Sequence, residues 1–127
     1  LVEDNELNME IAEFLLENEN AVITKAWNGK EAADIFQKEP EGSFDVILMD
    51  IMMPVMDGLT ATKTIRALDR PDARTIPVIA MTANAFEEDA KKCLAAGMNA
   101  HLAKPLDIGK LIATIAQYKT KDNGKRQ

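Results

Sequence analysis

In Val46-Ile47-Leu48-Met49-Asp50, four apolar residues run directly into a single carboxylate, and this pattern indicates the fold class. A run this short and this rich in aliphatic side chains is typical of a buried strand in a parallel sheet. Ligands of open parallel α/β sheets bind just beyond the carboxyl ends of the strands. Three further apolar runs also end in polar residues: Leu1-Val2 in Glu3-Asp4, Val78-Ile79-Ala80-Met81 in Thr82, and Leu102-Ala103 in Lys104-Pro105.

Helical patterns separate the apolar runs, so that strand and helix alternate five times along the chain. We predict strands at the start of the chain and at about residues 22–27, 44–50, 78–82 and 100–103. The first helix carries Leu7, Ile11, Phe14 and Leu15 on one face, and the second stops before Pro40. Asp57 and Asp107 are the expected N-caps of the third and last helices, a fourth spans about 87–96, and 70–77 is a loop.

Composition and charge narrow the class of protein. The 127 residues suit one domain, and a net charge of −6 argues against a nucleic-acid-binding surface, which is normally basic. We expect the domain at residues 1–118 and a flexible charged tail or linker at residues 119–127. A chain that opens partway through a strand without methionine suggests a fragment of a longer protein. The lone cysteine, Cys93, fits a reducing compartment, so we expect a cytoplasmic domain whose parent can be membrane-anchored.

Three carboxylates meet at one edge of the predicted sheet. If the first and third strands are neighbours, Glu3, Asp4 and Asp50 lie within a few ångströms of one another. Two carboxylates about 4 Å apart repel by roughly 4 kcal/mol at an effective dielectric near 20. A shared proton, nearby cations or a bound metal can compensate, and oxygen-only ligands at this density suit Mg²⁺.

The same edge gathers partners for a phosphoryl group. Thr82 and Lys104 offer a hydroxyl and an ammonium, and phosphoryl transfer depends on positioning and charge neutralisation. A carboxylate can itself be the nucleophile and form an acyl phosphate, and Asp50 is the candidate. Each of these residues alone is usually a helix cap or a solvated group, but their gathering at one edge favours a site.

Four short motifs of the chain resemble those of a known family. The motifs Val2-Glu3-Asp4-Asn5, Met49 to Gly58 (MDIMMPVMDG), Met81-Thr82-Ala83 and Lys104-Pro105 are similar to those of the receiver domain of two-component response regulators. Their order and spacing match over about residues 1–118. The resemblance implies a doubly wound, flavodoxin-like fold with a five-stranded parallel sheet in the order 2-1-3-4-5.

The resemblance also implies roles at the acidic end of the site. Asp50 would be the phosphoacceptor. Asp4, Asp50 and the backbone carbonyl of Met52 would coordinate Mg²⁺, with Glu3 acting mainly through a bound water. Mn²⁺ could take the place of Mg²⁺.

A second group of implied roles concerns the phosphoryl oxygens. Lys104 would pair with them, aided by the backbone amides of Met52 and Ala83. The hydroxyl of Thr82 would move onto the phosphoryl group as the switch. The Lys104-Pro105 peptide bond would be cis, which is otherwise uncommon.

Together these roles imply a signalling receiver that catalyses its own aspartyl phosphorylation and dephosphorylation, without being a conventional turnover enzyme. The donor would be the dimerisation domain of a histidine kinase, a histidine phosphotransfer protein or a small acyl phosphate. Phosphorylation would shift an equilibrium at the fourth helix, fifth strand and last helix. The runs 81–86 and 97–102 most resemble receivers of hybrid sensor histidine kinases, and dimerisation through the last two helices is left open.

Two features carry separate hypotheses. His101 stands where many receivers carry Tyr or Phe, so we expect it to act at the switch by tuning the partner face with pH, and not as a metal ligand. The loop containing Met52, Met53, Val55 and Met56 is either packed against the fold or a docking contact for a phosphotransfer helix bundle.

Three alternatives remain at the level of sequence. An aspartate-nucleophile phosphatase needs a second Asp two residues after Asp50, where this chain has Met52. A mononucleotide carrier needs a phosphate-binding first loop, which the acids at 3–6 oppose. A receiver-fold interaction module that is not phosphorylated is the main alternative.

Overall fold

The computed structural model describes residues 1–51, 56–82, 87–103 and 107–126, with backbone alone described at 87–90 and 119–126. The helices are α1 (Glu6–Glu17), α2 (Gly29–Lys38), α3 (Gly58–Arg66), α4 (Pro71–Thr75), α5 (Glu87–Ala96) and α6 (Ile108–Arg126). The strands are β1 (Ile47–Asp50), β2 (Val78–Thr82) and β3 (Ala100–Ala103). Among the described residues, none of the helices combines the length and hydropathy that crossing a membrane requires.

The three strands form a parallel sheet in the order β1-β2-β3. Asp50 at the end of β1 is in register with Met81, and Thr82 at the end of β2 is in register with Ala103. The apolar runs predicted as buried strands are therefore adjacent, and their carboxyl ends share one edge. The prediction of an α/β fold with a parallel sheet is confirmed.

The first two predicted strands are shorter than expected. Val2 forms single parallel bridges to Ala26 on one side and to Met49 on the other. The backbone hydrogen bonds of Leu1 reach Thr24 and Ala26. Its amino group donates to the carbonyl of Thr24, and its carbonyl accepts from the amide of Ala26. Val22 lies beyond these bonds and is almost fully exposed. The bridges place Val2 between Ala26 and β1, and the full five-strand order stays a prediction.

Side-chain caps fix where the helices begin, as the sequence predicted for two of them. The carboxylate of Asp57 accepts from the amide of Thr60 at 2.8 Å, and that of Asp107 accepts from Lys110 at 3.2 Å. Residue 97 ends α5 as a glycine with φ of +104°, a left-handed conformation that glycine adopts without strain. One expectation was wrong: the predicted loop at 70–77 contains the short helix α4, which starts at Pro71.

The core has two layers because helices cover both faces of the sheet. On one face, α2, α3 and α5 contribute apolar side chains such as Phe36, Ile65 and Cys93. On the other face, Leu16 of α1 and Leu111 of α6 pack against β1 and β2. Helix α6 runs to Arg126, beyond the predicted domain boundary at 118, so where the domain ends stays a prediction.

The prediction for α1 chose the wrong face. Its buried residues are Met9, Ala12 and Leu16, which recur at helical spacing. Three of the four residues on the predicted face point to solvent instead: Leu7 is 63% exposed, Ile11 49% and Phe14 66%. The fourth, Leu15, is partly buried. Two apolar stripes share this helix, and only one of them meets the sheet.

Arg70 joins α2 to the start of α4. Its guanidinium donates to the carbonyls of Phe36 and Glu39 at 2.9 Å each and lies 4.8 Å from the ring centroid of Phe36. The carboxylate of Asp72 accepts from Arg70 Nε at 2.6 Å and from the amide of Gly42 at 3.0 Å. Hydrogen bonding to Arg70 holds the pKa of Asp72 below its ordinary value of 3.8.

The Asp72 contact predicts a specific pH dependence of stability. A carboxyl whose pKa is lower in the folded state stabilises above its unfolded pKa and loses that contribution as pH falls through the folded pKa. We therefore expect Asp72→Asn to lower the Tm by several degrees. The difference in Tm between the variant and the parent should be constant above about pH 5 and should close below the ordinary pKa of 3.8. Thermal unfolding followed by circular dichroism measures the gap.

The matched control is Asp34→Asn, which removes an exposed carboxylate paired with Lys30 at 3.4 Å. Exposed ion pairs contribute little to stability, so its Tm should stay close to that of the parent. A gap for Asp72→Asn that persists unchanged into strong acid would show that lost shape, and not lost charge, is responsible.

Candidate functional site

The predicted acidic cluster is present at the carboxyl end of the sheet. Glu3, Asp4 and Asp50 each offer a carboxylate oxygen, and these atoms lie within 4.8 Å of one another. Glu3 is 2% exposed and Asp50 3%, whereas Asp4 faces solvent. Two charged carboxylates at this largest separation repel by about 3.5 kcal/mol at an effective dielectric of about 20. The cluster therefore favours any cation that can reach it.

Backbone pairing holds the two acidic segments together. The amide of Val2 donates to the carbonyl of Leu48 at 2.7 Å, and the amide of Asp50 donates to the carbonyl of Val2 at 3.0 Å. Because Glu3 and Asp4 follow Val2 directly, these bonds fix their distance from Asp50. On the side away from β1, the amide of Glu3 donates to the carbonyl of Ala26 at 3.1 Å.

The start of α1 orients the buried carboxylate of Glu3. Its Oε1 accepts from the amide of Asn5 at 3.3 Å and from Asn8 Nδ2 at 3.4 Å. Asn5 is also the N-cap of α1, since its side chain accepts from the amide of Asn8 at 2.9 Å. Neither asparagine was predicted to have these roles, although an Asn directly before a helical pattern is a common cap signal.

The identity of this cap matters for Asp4. Considered alone, Asp4 was a candidate cap for the first helix, but Asn5 takes that position. The Asp4 side chain instead remains at the solvent side of the acidic cluster, where it could hold an entering ligand.

The neighbouring strands place the other predicted residues. Thr82 is buried at the end of β2, one position beyond the register partner of Asp50. His101 is half-buried in β3 and in register with Ala80, so it lies further from the edge than Thr82. The register thus brings Asp50 and Thr82 to the same edge and sets His101 back along β3.

Several predicted site residues lie outside the described residues: Met52, Ala83, Lys104 and Pro105. The lysine contact, the two amide contacts and the cis peptide bond therefore stay predictions. Of the methionine loop, Met56 is described, and it packs partly against the core while its carbonyl accepts from Gly29 at 3.1 Å.

The acidic cluster fits a small hard cation. All three donors are carboxylate oxygens, which Mg²⁺ and Ca²⁺ accept and softer metals do not prefer. In an octahedral Mg²⁺ site opposite ligands are about 4.2 Å apart, close to the upper limit of the spacing here. The exposed position of Asp4 leaves an open side, as suits an ion that keeps several waters.

Gly58 packs directly against the backbone of the site. Its amide donates to the carbonyl of Ile51 at 2.9 Å. A Cβ at this position would lie 2.9 Å from the Cα of Ile51 and closer still to the carbonyl oxygen of Asp50. The residue after the Asp57 cap must therefore be glycine for α3 to begin this close to Asp50.

Comparison with known sequences identifies relatives over nearly the whole chain. A family model described as the response regulator receiver domain matches residues 1–116. The probable histidine kinase 1 of Oryza sativa subsp. indica is 35% identical over 93% of this chain, which spans 15% of that protein. The polar-differentiation response regulator DivK of Brucella anthropi is 38% identical, with 93% of this chain and 92% of DivK covered.

Solved structures show the same fold. The receiver domain of sensor histidine kinase PA1611 from Pseudomonas aeruginosa is 37% identical, with a TM-score of 0.84 and 94% and 93% of the two chains covered. That structure has a magnesium ion coordinated in its active-site cleft. A second match is the Saccharomyces cerevisiae co-crystal of the phosphotransfer protein Ypd1 with the receiver domain of Ssk1. It is 29% identical, with a TM-score of 0.82, and covers 95% of this chain and 87% of that chain.

The contact at Gly58 predicts that a single methyl group disturbs the site. Gly58→Ala forces the start of α3 away from β1, and overpacking of this kind costs typically 1–3 kcal/mol. We expect a lower free energy of unfolding, measured in urea, together with amide chemical-shift changes at Asp50 and Ile51. Gly109→Ala is the control, because a Cβ there meets only the flexible carboxylate of Asp107. Equal stability of the two variants would contradict the packing argument.

Proposed function

The chain belongs to the response regulator receiver family, and on this premise we propose that it accepts a phosphoryl group on Asp50 in a Mg²⁺-dependent reaction. The observation that carries the proposal is the buried carboxylate of Asp50 at a strand end, within 4.8 Å of those of Glu3 and Asp4. A buried acid held among like charges at an open edge is typical of a functional site.

The proposed chemistry is nucleophilic substitution at phosphorus. A carboxylate oxygen of Asp50 forms a bond to phosphorus while the bond from phosphorus to the leaving group breaks. With a phosphohistidine donor the imidazole nitrogen leaves with the bonding electron pair, and with acetyl phosphate the acetate oxygen does. The product is an acyl phosphate on Asp50, and attack by water on phosphorus later returns the carboxylate and inorganic phosphate.

Asp4 and Asp50, with the backbone carbonyl of Met52, would hold Mg²⁺ or Mn²⁺, and Glu3 would act through a water. The bound ion supplies neutralisation of the charge that builds up on the phosphoryl oxygens. The structure supports the carboxylate part of this set by the spacing of the three acids. The two asparagine contacts to Glu3 keep its carboxylate directed at the cluster.

Lys104 and the amides of Met52 and Ala83 would bind the phosphoryl oxygens, and Thr82 would donate its hydroxyl to one of them. Thr82 is buried one register position beyond Asp50 on the adjacent strand, which supports this role. Its movement would shift an equilibrium in α5, β3 and α6, the elements that follow β2 along the chain.

The proposed partner is a protein that carries phosphohistidine. Receiver domains bind histidine phosphotransfer proteins, as in the Ypd1–Ssk1 complex. The dimerisation domain of a histidine kinase is the second proposed donor, and a hybrid histidine kinase in the cytoplasm, itself anchored in a membrane or not, is the proposed parent. Relatives named as histidine kinases support this parentage.

The first experiment is intact mass spectrometry after incubation with acetyl phosphate, with and without Mg²⁺. We expect the parent chain to gain one phosphoryl group only with Mg²⁺, and hydroxylamine to remove it, as it does from an acyl phosphate. Asp50→Ala should gain nothing because the nucleophile is absent. Asp4→Asn should react at least tenfold more slowly at low Mg²⁺, since it removes one charge from the acidic cluster.

The control is Asp34→Asn, an exposed carboxylate on α2 that should react like the parent. A folded parent chain that binds Mg²⁺ and gains no phosphoryl group would favour the alternative, an interaction module that is not phosphorylated. Persistent phosphorylation of Asp50→Ala would place the acceptor elsewhere.

For His101 we propose that protonation tunes the face that meets the partner. Histidine titrates between about pH 5 and 8, and His101 lies half-buried on β3 within the proposed switching elements. His101→Tyr should therefore flatten the pH dependence of partner affinity in that range, as measured by calorimetry. Identical pH profiles for the variant and the parent would end this hypothesis.

A further inference from the structure

Arg66, the last residue of α3, donates hydrogen bonds to three neighbouring segments. Its guanidinium donates to the carbonyl of Gly97 from Nε at 3.0 Å and from Nη2 at 2.9 Å. It also donates to the carbonyl of Ala73 at 3.0 Å and to Oδ1 of Asn99 at 2.9 Å. These bonds join the end of α3 to α4, to the end of α5 and to the residue before β3.

Asn99 fastens this contact to the sheet and to α6. Its Oδ1 also accepts from the amide of Val78 at 2.8 Å, and its own amide donates to the carbonyl of Val78 at 2.8 Å. The hydroxyl of Tyr118 donates to the carbonyl of Asn99 at 2.8 Å. We call this set of residues the Arg66 hub: Arg66, Gly97, Asn99 and Tyr118.

The Arg66 hub and the acidic cluster lie at opposite edges of the sheet. Val78 begins β2 and Thr82 ends it, and a parallel strand advances about 3.3 Å per residue, so these two residues are about 13 Å apart. Helix α5 has ten residues and is about 15 Å long. Because α5 connects the end of β2 to the start of β3, it runs from the edge that carries the site to the hub.

The last turn of α5 is closed by its own backbone and held from outside by Arg66. The amide of Gly97 donates to the carbonyl of Leu94 at 3.0 Å, and that of Met98 donates to Cys93 at 2.9 Å. A Cβ on Gly97 would lie 3.1 Å from Cγ of Arg66, and its φ of +104° is left-handed. Glycine therefore serves both the turn and the close approach of Arg66.

The described packing of α5 is concentrated toward the same end. Among its described side chains, at 91–96, Cys93 and Ala96 are buried, and both are small. Met98, directly past the helix, is buried as well. A segment opens or moves most readily where few buried contacts and few hydrogen bonds to neighbours hold it. The attachments described for α5 thus favour a fixed carboxyl end.

We propose that the Arg66 hub is a clamp that fixes the carboxyl end of α5 and confines movement of this helix to its amino-terminal part. A guanidinium suits this role because it donates in several fixed directions at once, and its charge strengthens each bond to an oxygen. The use of the clamp in signalling rests on the proposed function. A displacement that begins at Thr82 would tilt α5 about Gly97 and would change the surface around its first turns most.

Amide hydrogen exchange, followed residue by residue by NMR, tests the clamp in the unphosphorylated chain. In the parent, the amides of Gly97 and Met98 should exchange at least tenfold more slowly than those of Lys91 and Lys92, after correction for intrinsic rates. The reason is that opening of the last turn of α5 must also break its bonds to the hub.

Variants of the hub should release the end of α5 locally. Arg66→Gln should raise the exchange rates of Gly97 and Met98 at least tenfold relative to the rate of Asp50, whose amide reports on β1. Arg66→Lys should act similarly, because one ammonium cannot replace the planar fork. Tyr118→Phe keeps the ring and removes one donor, so its increase should be smaller, and it tests the clamp even if Arg66→Gln fails to fold.

The matched control is Arg74→Gln, which makes the same chemical change on α4. The side chain of Arg74 is 62% exposed and pairs with Asp69 at 3.9 Å. Its exchange-rate ratios should equal those of the parent, because exposed ion pairs contribute little. Circular dichroism and Tm establish which variants are folded.

Phosphorylation tests how the clamp is used. After reaction of the parent with acetyl phosphate and Mg²⁺, the changes in amide chemical shift should be at least threefold larger at 87–92 than at 96–99. In Arg66→Gln the two segments should change to a similar extent, because the carboxyl end of α5 is then free to follow.

The outcomes separate the clamp from the function on which its use rests. Equal acceleration of exchange at Gly97, Met98 and Asp50 in Arg66→Gln would overturn the clamp, since Arg66 would then add only general stability. Shift changes in the phosphorylated parent that are as large at 96–99 as at 87–92 would also overturn it. Absence of phosphorylation would overturn the proposed function and not the clamp, which the exchange rates of the unphosphorylated chain decide.

Discussion

The pairing of Val2 with β1 is the constraint on which the site depends. Two backbone hydrogen bonds, to Leu48 and from Asp50, hold two acidic segments side by side against their mutual repulsion. Backbone bonds are suited to this because they are insensitive to the charge of the side chains that follow. The same pairing joins the start of the chain to β1, so the local fold and the charge cluster have one structural cause.

A cluster of like charges held in this way opposes the stability of the fold. Three carboxylates lie within 4.8 Å of one another and two of them are buried, so their mutual repulsion opposes folding. A divalent cation at this edge would relieve that repulsion. The surrounding packing, including the close approach of Gly58, keeps the acids from separating.

The sequence predicted the site better than it predicted the surfaces. The positions of Asp50 and Thr82 followed from apolar runs that end in polar residues, because parallel strands share one edge. The buried face of α1 was predicted wrongly, because Leu7, Ile11 and Phe14 compete with Met9, Ala12 and Leu16 at the same helical spacing. Both stripes are apolar, and periodicity alone cannot say which one meets the sheet. The short helix α4 was missed because a proline-rich polar segment is equally typical of a loop.

From the sequence alone, three acids and a hydroxyl could be placed at strand ends within an alternation of strands and helices. Chain order and side-chain type suffice for that, since register in a parallel sheet brings strand ends together. Tertiary structure, in contrast, buries Glu3 and leaves the adjacent Asp4 exposed. It also decided which apolar stripe of α1 remains in solvent. These outcomes depend on how α1 docks against the sheet, which is settled by the shape of the whole core and by no local pattern.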